Sequence, residues 1–176
     1  MKKKVIGLLI LFIIVLGGFA ISSFYSTDIT QNNTNNSSQQ LTGEKTMING
    51  LTCMIPSSYQ GGSLNTSTPG IETYGTYQND QIYVTVYSPN SNGNKVYQGD
   101  IDYFVNNIGN TDINQGKENT TVNGHQIQYI SQHSNTRGDY RLAFFQVGDK
   151  KVLIEWLGSS ITPDIKNIIN SFYQLN

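Results

Sequence analysis

Apolar and polar residues alternate along most of this chain, and that period of two limits the folds it can adopt. In residues 81–88, for example, Ile82, Val84 and Val86 fall on one face. Because a β-strand points successive side chains to opposite faces, this pattern predicts strands with a buried side. Six further segments alternate similarly: 47–55, 71–78, 115–122, 125–132, 139–147 and 151–157.

Short turn sequences connect several of these predicted strands. Asn123-Gly124 is the strongest hairpin signal in the chain, and Asn79-Asp80 and Gly148-Asp149 occupy similar positions. Since connections of this length join antiparallel neighbours, we expect about seven mostly antiparallel strands.

Two helices are expected among the strands. Asp100 is a candidate N-cap for a helix that ends near residues 107–110, with a stripe at Ile101, Phe104, Val105 and Ile108. The second helix begins with Thr162 as N-cap, Pro163 at the first position and Asp164 in the first turn. Its buried stripe comprises Ile165, Ile168, Ile169 and Phe172. Strands grouped together with both helices on one face predict an α+β sandwich.

The sequence of the N-terminus predicts a membrane segment. Lys2, Lys3 and Lys4 precede an uncharged, largely apolar run of 17 residues, 5–21. A spanning helix needs about 20 mainly apolar residues, whereas a signal-peptide core has about 7–15. We therefore expect a retained anchor at 1–25 with its lysines in the cytoplasm, and the alternative is a secreted protein cleaved near Ala20.

Composition divides the rest of the chain into a tether and a domain. Residues 26–43 are polar and have little to bury, so we expect a disordered tether there. Residues 44–176 suffice for one extracytoplasmic domain.

Beyond residue 25 the chain carries eight basic and twelve acidic residues, a net charge of −4, which argues against nucleic acid as a partner. The single cysteine, Cys53, excludes an internal disulfide, and it alternates with Leu51 and Ile55 as a buried thiol would.

Motifs for catalysis or metal binding are not found in the sequence. His125 and His133 would stand about 26 Å apart on one strand, too far to share a metal, and His125 follows a turn where an exposed residue is expected. There is no Gly-x-Ser-x-Gly elbow and no Cys-x-x-Cys pair. Arg137-Gly138-Asp139 is interpreted as a turn. We expect no catalytic residue, no metal and no cofactor.

Tyrosines are the strongest candidates for a binding surface. The chain has eleven, and a tyrosine ring with its polar tip suits contacts with proteins or sugars. The candidate binding residues on the predicted sheet are Tyr74, Tyr83, Tyr87, Tyr129 and Tyr140. We therefore expect a non-catalytic binding or accessory domain, displayed outside the cell, whose partner is an envelope protein or glycan. The alternative is an envelope enzyme of unrecognised type, which requires a deep pocket with two convergent titratable groups.

Five Asn-x-Ser/Thr sites lie beyond the membrane segment, and whether any carries a sugar depends on the organism. They are Asn32, Asn35, Asn36, Asn65 and Asn119.

Several short motifs resemble the PsbP-like family, particularly its membrane-tethered members from methane-producing archaea. Asn49-Gly50-Leu51, followed by the segment 54–59, resembles the family's opening strand, and Val122-Asn123-Gly124 resembles its central hairpin. Residues 148–154 and 165–173 resemble the penultimate hairpin and the closing helix. The resemblance implies a PsbP-like sandwich. Family members include an accessory subunit of photosynthetic water oxidation and a nuclear-transport factor, so it implies no single activity and no site residue.

Overall fold

The structure is a computed structural model, and it describes residues 43–76 and 81–174. The described residues form an α+β domain with two antiparallel sheets and two helices. The strands are β1 (Glu44–Ile48), β2 (Leu51–Ile55), β3 (Ser63–Asn65), β4 (Ile71–Gly75), β5 (Ile82–Tyr87), β6 (Ile113–Val122), β7 (His125–Ser134), β8 (Gly138–Val147), β9 (Lys150–Leu157) and β10 (Tyr173–Gln174). The helices are α1 (Ser91–Asp100), continued by a π-helical segment (Ile101–Val105), and α2 (Pro163–Ser171).

The larger sheet has seven strands in the order β3-β4-β5-β9-β8-β7-β6. Every neighbouring pair in it is antiparallel, as the short connections predict. Strands β3 and β6 therefore form its two edges. The prediction of one strand over 47–55 is wrong, because Asn49 and Gly50, with φ angles of 47° and 76°, form a turn that divides the segment into β1 and β2. These two strands belong to a second sheet, in the order β1-β2-β10.

One face of the large sheet packs against α2 and the small sheet. Trp156 and Ile154 of β9 are fully buried there, together with Ile165 and Ile168 of α2. Cys53 of β2 belongs to the same cluster and is fully buried, as predicted. Burial raises the pKa of its thiol to about 12, so this cysteine is an inert core residue.

The opposite face packs against α1 and the π-helical segment. Leu142 and Phe144 of β8 meet Val105 there, with Val96 and Phe104 packed against them. The α+β class, the seven antiparallel strands and the two helices packed on the sheet are thus confirmed. The expectation that both helices share one face is wrong, because side chains alternate across β8 and β9 and both faces of these strands are apolar.

The first helix begins ten residues earlier than the sequence predicted. Its N-cap is Asn90, whose side chain accepts a hydrogen bond of 2.8 Å from the backbone N–H of Gly93. Asp100 is therefore an internal residue without a capping bond, and its prediction as N-cap is wrong. Helix α1 is mostly polar and contains two glycines, so it lacks the apolar stripe that would reveal it. Ile108 lies beyond the helix and is exposed, so its assignment to the buried stripe is also wrong.

The second helix agrees with its sequence signals. Thr162 caps it by accepting a bond of 3.3 Å from the N–H of Ile165, and Pro163 occupies its first turn. The predicted stripe is buried: Ile165, Ile168, Ile169 and Phe172. At the predicted hairpin, Asn123 and Gly124 have φ angles of 49° and 81°, as a type I′ turn requires.

Three sequence predictions fall on residues outside the described ranges. These are the anchor at 1–25, the tether up to residue 42 and the turn at Asn79-Asp80. Within residues 43–76 and 81–174, the structure contains no helix that is both long and apolar enough to traverse a lipid bilayer.

Candidate functional site

The five tyrosines predicted to bind a partner do not form one exposed surface. Tyr74, Tyr87, Tyr129 and Tyr140 are buried, with at most 5% of each exposed, and only Tyr83 is half-exposed. The alternating pattern assigns a residue to one face of a strand, but it does not say whether another layer covers that face. Both faces of this sheet are covered, and the tyrosines lie beneath the cover.

The buried tyrosines form structural hydrogen bonds. The hydroxyl of Tyr74 donates to the backbone oxygen of Tyr59 at 2.7 Å. The hydroxyl of Tyr87 donates to Oδ2 of Asp100 at 2.6 Å, beneath α1. Burial raises the pKa of the Asp100 carboxyl to about 6, and the bond from Tyr87 partly offsets that rise.

A second polar cluster surrounds Tyr140. Its hydroxyl lies 2.7 Å from Oδ2 of Asp112 and 2.5 Å from Oε1 of the fully buried Gln132. The amide nitrogen of Gln132 donates to the backbone oxygen of Phe104 at 3.0 Å. Burial and the Asp112 carboxylate raise the pKa of Tyr140, so its phenol stays protonated. These bonds join β7 and β8 to the π-helical segment and stabilise that interface.

The Arg-Gly-Asp tripeptide lies at a turn, as predicted, but its arginine faces inward. Gly138 has a φ of 78°, and Nη2 of Arg137 donates to Oε1 of Glu155 at 2.5 Å. Only 18% of the Arg137 side chain and 12% of the Glu155 side chain are exposed. The tripeptide therefore does not present its two charged side chains together to solvent.

The two histidines lie on one strand, β7, and have separate partners. Nδ1 of His133 lies 2.7 Å from Oδ1 of Asp139, and Nδ1 of His125 lies 3.3 Å from the backbone oxygen of Gln146. The hydrogen bond from His133 lowers the pKa of the exposed Asp139. Across the described part of the chain, no three His, Cys, Asp or Glu side chains are grouped closely enough to hold a metal ion.

The edge strand β6 is the longest exposed element of the large sheet. Among the described residues it pairs only with β7, and all its residues are exposed except the half-buried Val122. A bulge between Asn114 and Gly116 interrupts its first half. Residues 117–122 then pair one-for-one with 125–130, so this half presents a regular free edge.

A groove lies between β6 and α2, and we call it the α2-side groove. Its volume is about 640 Å³. Its lining residues are Glu118, Thr120, Thr121, Val122, Asn123, Tyr129, Ile161, Lys166 and Asn170. Two of its lining residues are joined by a hydrogen bond, in which the side-chain amide of Asn123 donates to the backbone oxygen of Asn170 at 3.2 Å.

Two buried polar atoms belonging to this groove lack hydrogen-bond partners among the described residues. They are the hydroxyl of Tyr129 and Oδ1 of Asn170. Burial raises the pKa of Tyr129, so its hydroxyl remains a donor. An unsatisfied buried polar group costs about 1–3 kcal/mol, and such groups are rare in native proteins. The Tyr129 hydroxyl and Oδ1 of Asn170 therefore retain unused hydrogen-bonding capacity beside the α2-side groove.

A second groove flanks β6 on the other face of the sheet, and we call it the α1-side groove. Its volume is about 350 Å³. Its lining residues are Tyr97, Asn119, Gln126, Ile127, Gln128, Phe144, Phe145 and Gln146. The polar members are uncharged. The α2-side groove is thus lined by one acidic and one basic residue, Glu118 and Lys166, whereas the residues that line the α1-side groove are uncharged.

Sequence reasoning identified Tyr129 but missed the rest of this site. Residues 115–122 are correctly predicted as a strand, but the period of two does not show where in the sheet a strand will lie. A signal for the edge was the composition of β6, which is almost entirely polar and contains Lys117, and the structure adds a bulge at Gln115, another feature typical of edges.

Comparisons with known proteins include a distant structural similarity. No protein-family model matches the chain, and no curated protein matches it significantly. The chain is similar to the solution structure of cyanobacterial PsbP (CyanoP) from Synechocystis, with 10% identity and a TM-score of 0.43. The match covers 81% of this chain and 98% of that protein. The similarity concerns the backbone alone, so the family assignment from sequence motifs stays a prediction.

Proposed function

We propose that this chain is a non-catalytic binding or accessory domain that engages its partner at β6 and the two grooves beside it. The single observation that carries this proposal is the α2-side groove, where the hydroxyl of Tyr129 and Oδ1 of Asn170 are buried with no hydrogen-bond partner among residues 43–76 and 81–174. Such atoms mark a place where a polar ligand gains hydrogen bonds that the chain does not supply.

The charged side chains of the groove support this proposal. Glu118 and Lys166 line it, and the charged group of neither side chain forms a hydrogen bond or an ion pair with another described residue. Both are therefore free to contact a partner. By contrast, the polar clusters beneath α1 are internally satisfied, with Tyr87 bonded to Asp100 and Tyr140 to Asp112.

The proposed location rests on the sequence. Residues 1–25 would anchor the chain with its N-terminus in the cytoplasm, and 26–43 would connect the anchor to the domain outside. A flexible tether of this length has a typical reach of roughly 20–25 Å, so the partner would also lie near the membrane. We include the chain among the membrane-tethered PsbP-like proteins of archaea as part of this proposal.

Site-specific photocrosslinking in the full-length chain tests the binding surface. A photoreactive phenylalanine derivative replaces Thr120 in the α2-side groove or, as the control, Leu64, which is exposed on the opposite edge strand β3. Each protein is irradiated with an envelope extract from the source organism. We expect a discrete adduct from position 120 and none from position 64. Equal labelling at both positions, or none at position 120, would contradict the proposal.

Two further measurements address the alternatives. N-terminal sequencing of the exported protein distinguishes a retained anchor from cleavage near Ala20. If the adduct at position 120 is a small molecule that the chain chemically converts, the enzyme alternative replaces the binding function.

A further inference from the structure

We propose that the partner of this surface is an extended, cationic peptide segment of another protein, which adds to the large sheet as an eighth strand along residues 117–122 of β6. This inference rests on the proposed function, because it specifies what occupies the same surface.

The free edge of β6 supplies the backbone bonds. In an antiparallel pair, alternate residues direct their N–H and C=O groups toward the partner strand, and those between them direct these groups away. Within the part of the chain that the structure describes, residues 117–122 pair in register only with β7, so every second residue offers both groups on the outer edge. An extended peptide can satisfy them by strand addition.

The two grooves are placed to receive its side chains. Glu118 lies opposite Tyr129 and borders the α2-side groove, whereas Asn119 lies opposite Gln128 and borders the α1-side groove. Side chains of an added strand also alternate between the two faces. Successive residues of the peptide would therefore enter the two grooves in turn, as the alternating pockets of strand-addition sites require.

Charge complementarity indicates a basic residue in the peptide. Glu118 is exposed and bears the only negative charge on β6. Lys117 lies on the other face, and its Nζ already donates to the backbone oxygen of Val105 at 2.7 Å. Because directly opposed charges of opposite sign stabilise a strand pair, the residue facing Glu118 should be lysine or arginine. The net charge of −4 beyond residue 25 favours a cationic partner at longer range.

The neighbouring positions should be uncharged. The α1-side groove is lined by amide, aromatic and aliphatic side chains. The two lysines beside it already have partners, since Nζ of Lys117 donates to the backbone oxygen of Val105 and Nζ of Lys151 lies 4.5 Å from the centre of the Tyr97 ring. A charged residue there would therefore lose solvation without gaining a free ion-pair partner. Lys166 also lines the α2-side groove and would repel a second positive charge, so the basic residue is expected at the position over Glu118.

A random heptapeptide library displayed on phage tests this inference against three full-length proteins. They are the unmodified chain, Glu118→Lys and a matched charge control, Asp149→Lys, which changes an exposed turn residue. With the unmodified chain and the control, we expect enrichment of lysine or arginine at one position between uncharged residues. Glu118→Lys should weaken the best of these peptides on the order of fivefold to tenfold and instead enrich aspartate or glutamate at that position.

Backbone N-methylation of the strongest peptide tests strand addition itself. Methylation at alternate residues should abolish binding, and methylation at the residues between them should be tolerated. Failure to enrich any peptide, enrichment unaffected by Glu118→Lys, or uniform tolerance to methylation would each overturn the inference. An adduct at position 120 formed with a glycan or with a second copy of the chain would overturn it too, while leaving the proposed binding surface intact.

Discussion

The Tyr87 hydroxyl donates a hydrogen bond of 2.6 Å to Oδ2 of Asp100, and this bond joins strand β5 to the end of helix α1. Burial raises the pKa of Asp100 from 3.8 to about 6, while the bond from Tyr87 acts in the opposite direction. The carboxyl therefore binds its proton more tightly in the folded chain than in the unfolded one, which makes stability depend on pH.

Replacing Asp100 by asparagine should change how stability responds to pH between about 4 and 6. In that window the folded chain holds the Asp100 proton and the unfolded chain releases it, so this group's contribution to stability falls as pH rises. We compare the free energies of unfolding of the unmodified chain and of Asp100→Asn at each pH. The value for the unmodified chain minus that for Asp100→Asn should decrease by about 2–3 kcal/mol from pH 4 to pH 7. Urea titrations at several pH values measure this difference.

Two controls belong to this prediction. Asp149→Asn, at an exposed turn, should leave the pH profile unchanged. Tyr87→Phe removes the bond that lowers the pKa of Asp100, so NMR titration should show that pKa rising further. A flat difference curve for Asp100→Asn would show that Asp100 titrates normally.

Two glycines of α1 should respond oppositely to alanine. A Cβ at Gly93 would meet the backbone oxygen of Ser88 at only 2.2 Å, whereas a Cβ at Gly99 has no neighbour within 4 Å. Gly99→Ala should stabilise the chain by up to about 1 kcal/mol through helix propensity. Gly93→Ala should destabilise it, because the backbone of Ser88 and that of residue 93 would have to move apart to make room for the Cβ. Thermal unfolding of both variants measures the contrast, and equal shifts would contradict the position at which α1 begins.

Replacing Arg137 and Glu155 together by apolar residues should cost less stability than replacing Arg137 alone. Both side chains are largely buried, so Arg137→Ala removes a neutralising charge beside Glu155 and should cost about 3–5 kcal/mol. Arg137→Met combined with Glu155→Leu should lose much less, since neither charge then remains buried. Chemical denaturation of the two variants gives the comparison, and similar losses would show that the pair acts through packing alone.

The thiol of Cys53 should be unreactive in the folded chain. It is fully buried, and burial raises its pKa to about 12. Labelling by a thiol reagent at pH 8 should therefore proceed no faster than unfolding and become fast in denaturant. Rapid labelling under native conditions would contradict the packing of β2 in the core.

Local signals in the sequence predicted much of this fold. The Asn123-Gly124 turn and the Thr162-Pro163 start of α2 are determined by backbone preferences of neighbouring residues, and both are confirmed. The start of α1 was missed because its cap, Asn90, precedes a polar stretch that packs mainly through its later residues.

The binding surface could be predicted only in part, because it depends on contacts between residues far apart in the chain. Alternation correctly placed Tyr87 and Tyr140 on strands, but α1 and the π-helical segment cover the face on which both lie, and no local pattern specified this. Likewise, Glu118 and Asn170 line the same groove only because α2 packs beside the edge strand β6.

Hydrogen–deuterium exchange of the full-length chain, with and without envelope extract, tests the central claim most directly. If β6 and its grooves form the binding surface, the partner should slow amide exchange in Ile113–Val122 and in the adjoining residues of α2, while the opposite edge strand Ser63–Asn65 stays unchanged. Unchanged exchange in β6, with protection appearing elsewhere on the domain, would contradict the claim.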